Sequence, residues 1–105
     1  MAALGTKLRT WSGSRVAFWC PGCNVAHIVR VTDNAGRPMW YFDGDIDAPT
    51  FSPSIMVNRP GQDHDPGVPV CHSFVTKGRI LFLQDCTHPL AGQTVDLPDW
   101  PIGSA

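Results

Sequence analysis

Short runs of β-branched and aromatic residues alternate along the chain with clusters of proline, glycine and polar residues, the pattern of a mostly β domain with little helix. Arg15–Cys20 (RVAFWC) and Ala26–Val31 (AHIVRV) are expected strands on either side of the tight segment Cys20-Pro21-Gly22-Cys23, and Asp33–Gly36 (DNAG) is a turn. Met39–Asp43 is a short aromatic strand, Gly44–Pro53 a loop rich in acids and prolines, and Ser54–Asn58 a further strand. Residues 59–69 read as an exposed loop. Val70–Leu83 predicts a hairpin, because two apolar runs flank Thr76-Lys77-Gly78-Arg79. Gln93–Leu97 predicts one more strand. The expectation is a single domain over 1–105, with a flexible arm at 1–14 and a frayed tail at 101–105.

Composition changes this picture in one respect. Ten glycines and ten prolines in 105 residues exceed the usual combined share of about 12%, so the chain needs some support besides a large packed interior. Four cysteines and four histidines supply the means. A net charge of -1 gives no global drive toward nucleic acid. No apolar run reaches the roughly 20 residues that span a bilayer, so a cytoplasmic protein without membrane association is expected. In a reducing compartment its cysteines read as metal ligands rather than disulfides.

Cys20 and Cys23 form the most specific motif: two intervening residues let both sulfurs meet one ion, and Gly22 offers a positive φ for the knuckle. A two-residue turn at Lys77-Gly78 places Cys71 opposite Gln84 and Cys86 further along the same face. The expected ligands of a structural Zn2+ are therefore Cys20, Cys23, Cys71 and Cys86, with His88 or His27 as rivals for one position. The same register turns His72 to the opposite face, beside Leu83. Asp43, Asp45 and Asp47 begin like a calcium loop, but Ser54 stands where the closing Glu would fall.

The strings FWCPGC (Phe18–Cys23), PTFSPSI (Pro49–Ile55), CHSFVTKGRILFL (Cys71–Leu83) and DCTHPLAGQTVDLPDW (Asp85–Trp100) resemble a family of small zinc-knuckle proteins of phages and bacterial genomes. They are distantly similar to the peptidases of bacterial ubiquitin-like conjugation operons. That resemblance implies a serine peptidase, deubiquitinase-like in acting on the C-terminal tail of a ubiquitin-like protein, and it maps onto Cys20, Cys23, His27, Ser54 and His72. The residues themselves are compatible with it: Ser54 is a nucleophile at a rigid loop exit, His72 a general base, and His27 a group to orient or replace that base. Ser52 and Ser73 compete as nucleophiles, and Ser54 with His72 also reads as a polar pair tying loop to hairpin.

Two other classes stay open at this level. A non-catalytic zinc-ribbon-like phage protein would bind a host protein through aromatic anchors such as Trp11, Trp40 or Trp100. A nucleic-acid binder would need Arg15, Arg30, Arg37 and Arg79 on one face, and is the less expected of the two.

Overall fold

The computed structural model describes residues 2–11, 14–32, 35–61 and 64–101. Among them there is no helix, and the nine strands form two antiparallel sheets. The first sheet holds β1 (Ala2–Leu4), β2 (Leu8–Trp11), β3 (Arg15–Cys20) and β4 (Val25–Arg30) in sequence order. The second holds β5 (Tyr41–Phe42), β6 (Phe51–Val57), β7 (Cys71–Thr76), β8 (Arg79–Phe82) and β9 (Thr94–Asp96), also in order. This is the mostly β architecture the sequence predicts. No helix among the described residues is long and apolar enough to cross a membrane.

Alternation on each strand creates one core between the sheets. Leu8, Val16, Phe18 and Val29 of the first sheet meet Phe51, Ile55, Val75, Ile80 and Phe82 of the second. Phe18 stacks on Phe51 at 6.0 Å between ring centroids, and Phe51 in turn on Phe42 at 5.1 Å. Aromatic pairs at such separations add to the area they bury.

The β7–β8 hairpin turns at Lys77 and Gly78, both with positive φ (48° and 77°), as a two-residue turn of matching twist requires. Its register pairs Ser73 with Phe82 and Val75 with Ile80. Cys71, Ser73 and Val75 therefore face the core, and His72 and Phe74 face outward.

Three expectations need correction. Residues 2–11 are not a free arm: Leu8 is fully buried, and Trp100 N–H donates to the Thr6 carbonyl at 2.8 Å. The Lys7 ammonium bonds the Leu97 carbonyl at 2.7 Å, and Asp99 accepts from Thr6 Oγ1 and pairs with Lys7. Those bonds, first Thr6 and then Lys7, hold the Asp99 carboxyl below its ordinary range. Second, β6 starts at Phe51 rather than Ser54 and passes through Pro53, with a register irregularity between Phe51 and Ile55. A proline is tolerated there because the pairing is already interrupted. Third, the expected strand at 39–43 shrinks to Tyr41–Phe42. Asp33 and Asn34 of the expected turn, residues 62 and 63 of the expected loop, and 102–105 of the expected tail lie outside the described residues.

Candidate active site

Ser54 sits in the irregular part of β6, half-buried. Bulges and similar breaks in a ladder re-aim side chains, and here the Ser54 hydroxyl reaches His72 on the neighbouring strand. The loop before β6 is braced by its own carboxylates. Asp43 Oδ1 accepts from the backbone N–H of Asp45 and Thr50, and Asp45 Oδ1 from those of Asp47 and Ala48. Two of the three aspartates, Asp43 and Asp45, thus turn their carboxylates onto the backbone of the loop instead of presenting a calcium site. Trp40 Nε1–H closes the other side by donating to the Ser54 carbonyl at 3.4 Å.

Ser54 Oγ lies 3.0 Å from His72 Nε2, and His72 Nδ1 lies 3.1 Å from Asp85 Oδ2. An ionised carboxylate only accepts, so Nδ1 carries the ring proton and Nε2 is left to accept from the serine. The result is a serine, histidine and aspartate in series, the geometry that prepares an alcohol for nucleophilic attack. No motif in the sequence marks Asp85 as a site residue. It is legible in retrospect, because the register that puts Leu83 beside His72 carries Asp85 to the same face two residues on. The Leu83 N–H to His72 carbonyl bond, 2.9 Å, fixes that register.

The structure separates the other expected site residues from this series. His27 is buried, pointing from β4 into the thiol cluster rather than toward His72, so nothing in the geometry has it orienting or replacing the base. Ser73 is fully buried on the core face and its hydroxyl has no hydrogen-bond partner; Ser52 is exposed on the surface.

Beneath the hairpin, Cys20, Cys23, His27 and Cys71 bring one donor atom each within 4.8 Å of one another. Cys71, Cys86 and His88 form a second, overlapping group. All four cysteines are free thiols. Cys20 Sγ and Cys71 Sγ are 3.9 Å apart, close to the about 3.8 Å between sulfurs on a tetrahedron with metal–sulfur bonds of 2.3 Å. His27 Nε2 is buried with no hydrogen-bond partner, a donor set and an orphaned nitrogen that fit a metal ion. On their own, the three thiols compete for a single negative charge. S–H bonds from Cys23 and then Cys71 hold the Cys20 thiol far below its ordinary value. The bond to Cys20 raises the other two, Cys23 to about 12. A cation among them removes that competition by favouring every thiolate.

Cys86 lies outside the first group and belongs to the second, and its sulfur also bonds the hairpin backbone. It accepts from the His72 N–H and donates to the His72 carbonyl, both at 3.2 Å. His88 accepts the Leu90 N–H at Nδ1, and its Nε2, like that of His27, is buried with no hydrogen-bond partner.

The expected positive φ at Gly22 falls instead on Asn24, at 57°. Gly22 is needed for space: a Cβ there would collide with the His88 ring. Because His88 is 6% exposed it has nowhere to swing. Gly22→Ala is therefore expected to lower stability by about 1–3 kcal/mol, read as a fall in the thermal midpoint; an unchanged midpoint would show that the ring moves freely.

A family model described as bacterial ubiquitination-like system serine protease (BubE) matches residues 5–83. The chain belongs to the BubE family. The match includes Ser54, His72, the knuckle and Cys71, and stops two residues before Asp85. Searches of curated proteins and of solved structures found no match. As a member of the BubE family the chain is similar to serine proteases of a ubiquitination-like system, so a protein substrate or partner is implied. The alternative of a nucleic-acid face fares poorly: Arg15 and Arg30 are cross-strand neighbours in the first sheet, whereas Arg79 lies in the second and pairs with Asp96 at 3.2 Å. The aromatic anchors of a non-catalytic binder are likewise reduced, since Trp100 is buried against Trp19 and under Arg9.

Proposed function

We propose that this BubE-family chain is a serine peptidase that hydrolyses the C-terminal tail of a ubiquitin-like protein, with Ser54 as nucleophile, His72 as general base and Asp85 as the group that orients it. The observation that carries the reading is the continuous pair of hydrogen bonds from Ser54 to His72 to Asp85. In this reading the Ser54 hydroxyl gives its proton to His72 Nε2 as Oγ attacks the scissile carbonyl. Asp85 stabilises the imidazolium that forms, and the same proton passes to the departing amine. Water then repeats the sequence on the acyl-enzyme, releasing the new carboxylate and restoring the serine.

A zinc ion fits Cys20, Cys23, Cys71 and His27, a four-ligand set with no position left for water. When bound it supplies a cross-link between knuckle and hairpin. The chemistry stays with Ser54 and His72, and Cys86 acts as a brace on the His72 backbone.

The test is reaction with a fluorophosphonate probe and location of the adduct by mass spectrometry. A single adduct on Ser54, absent in Ser54→Ala, is the expected result. An unlabelled wild-type protein with its metal in place would favour the non-catalytic binding module.

A further inference from the structure

Beside Ser54 the two sheets leave a slot. Among the described residues β4 is the edge strand of the first sheet, with β3 as its one strand neighbour. Val31 N–H donates toward β3, to the Ser14 carbonyl, while the Arg30 carbonyl accepts from Trp40 on the opposite side. Antiparallel alternation then directs the backbone groups of Ile28 away from β3, toward the open edge. Across the slot, β5 covers only Phe51 and Ser52 of β6, so Ile55–Val57 is paired to β7 and has no strand on its other edge among the described residues. The space between these edges is a cavity of about 180 Å³ lined by Ile28, Arg30, Trp40, Ile55, Met56 and Val57, among others.

Its volume and lining say what it can hold. An apolar cavity of about 150 Å³ accepts a benzene-sized group, so this one has room for one large apolar side chain and not for a whole cofactor. Among the residues named, Arg30 alone is charged. The slot also adjoins the candidate catalytic residues through two of its lining side chains. Trp40 lines it and bonds the Ser54 carbonyl, while Met56 lines it and pairs with His72 across the ladder. Exposed sheet edges bind extended peptides as an added strand, with pockets for alternate side chains giving selectivity.

We propose that this slot is the substrate subsite, binding an extended segment of the protein substrate along the edge of β4 and taking one bulky apolar side chain near the scissile bond. The inference rests on the peptidase reading above and adds the chemistry of the segment recognised: unfolded, extended, and carrying an apolar anchor. A basic side chain at that position is disfavoured by Arg30.

A synthetic peptide library, with cleavage sites read by mass spectrometry, tests the subsite, and fluorophosphonate labelling run alongside tests the nucleophile separately. Wild-type cleavage sites are expected to share Leu, Met or Phe at one fixed distance from the scissile bond. Ile28→Trp, which fills the slot from an exposed position, should lose at least tenfold in kcat/KM for those peptides while its labelling rate stays within twofold. Ile28→Ala, a milder change, should shift the preference toward larger aromatic side chains. Labelling of Ser54 without a positional apolar preference, or without any peptide cleaved, overturns the subsite alone, as does an unaltered profile in both variants. Absence of labelling in the wild type overturns the peptidase reading and the subsite with it.

Discussion

Ser54→Ala is expected to abolish hydrolysis, and Asp85→Asn to lower kcat by up to about 10⁴-fold near neutral pH, the loss seen when the third member of such a series is neutralised. The reason for the second lies in the tautomer. Asp85 accepts from Nδ1 and so keeps Nε2 free to take the serine proton. An asparagine can present its amide N–H instead, which leaves the ring proton on the nitrogen that must act as base. Asp85 is 52% exposed, so water competes for the carboxylate and the loss falls below that figure. Both variants should retain metal content and the wild-type thermal midpoint within a few degrees, since neither side chain packs in the core. A full-rate Asp85→Asn variant would remove Asp85 from the mechanism and leave a serine–histidine pair.

Much of this site was open to deduction from the hairpin alone. A two-residue turn at Lys77-Gly78 determines which residues of β7 and β8 share a face, and so divides Cys71 from His72. Applied two residues further, the same rule divides Cys86 from Asp85. The chemistry of one face is thiol, that of the other acid–base, and one strand serves both.

What the hairpin could not show was anything set by contacts between the sheets. Whether His27 or Cys86 completes the group around Cys20 depends on how β4 lies over β7, which no local spacing encodes. The N-terminal strands were hidden for a similar reason. Their short alternation, LRTW, is weak by itself, and they are secured by partners about ninety residues away at Leu97 and Asp99. Pro53 concealed the start of β6, since a proline argues against a paired strand until the irregularity after Phe51 is known.

Removing the metal should unfold the protein. Structural zinc sites of this ligand type contribute apparent free energies of about 10–16 kcal/mol, against a net stability of about 5–15 kcal/mol for a whole domain. A turn-rich chain of 105 residues has little to set against that loss. A strong chelator is therefore expected to abolish the near-ultraviolet circular dichroism and the cooperative thermal transition together, and added Zn2+ to restore both. Cys71→Ser should do the same without a chelator, because Cys71 belongs to both candidate groups. The two remaining candidates separate by metal content. His27→Ala is expected to lose the ion, whereas Cys86→Ala should keep it and lose activity instead, because its thiol is hydrogen-bonded to the backbone of His72 on both sides. Retention of one equivalent of zinc by His27→Ala and its loss from Cys86→Ala would reverse the ligand assignment, placing the fourth ligand next to Asp85 in the chain but on the thiol face of the hairpin. In that event the ion itself, rather than the Cys86 thiol, would anchor the turn from which Asp85 reaches His72.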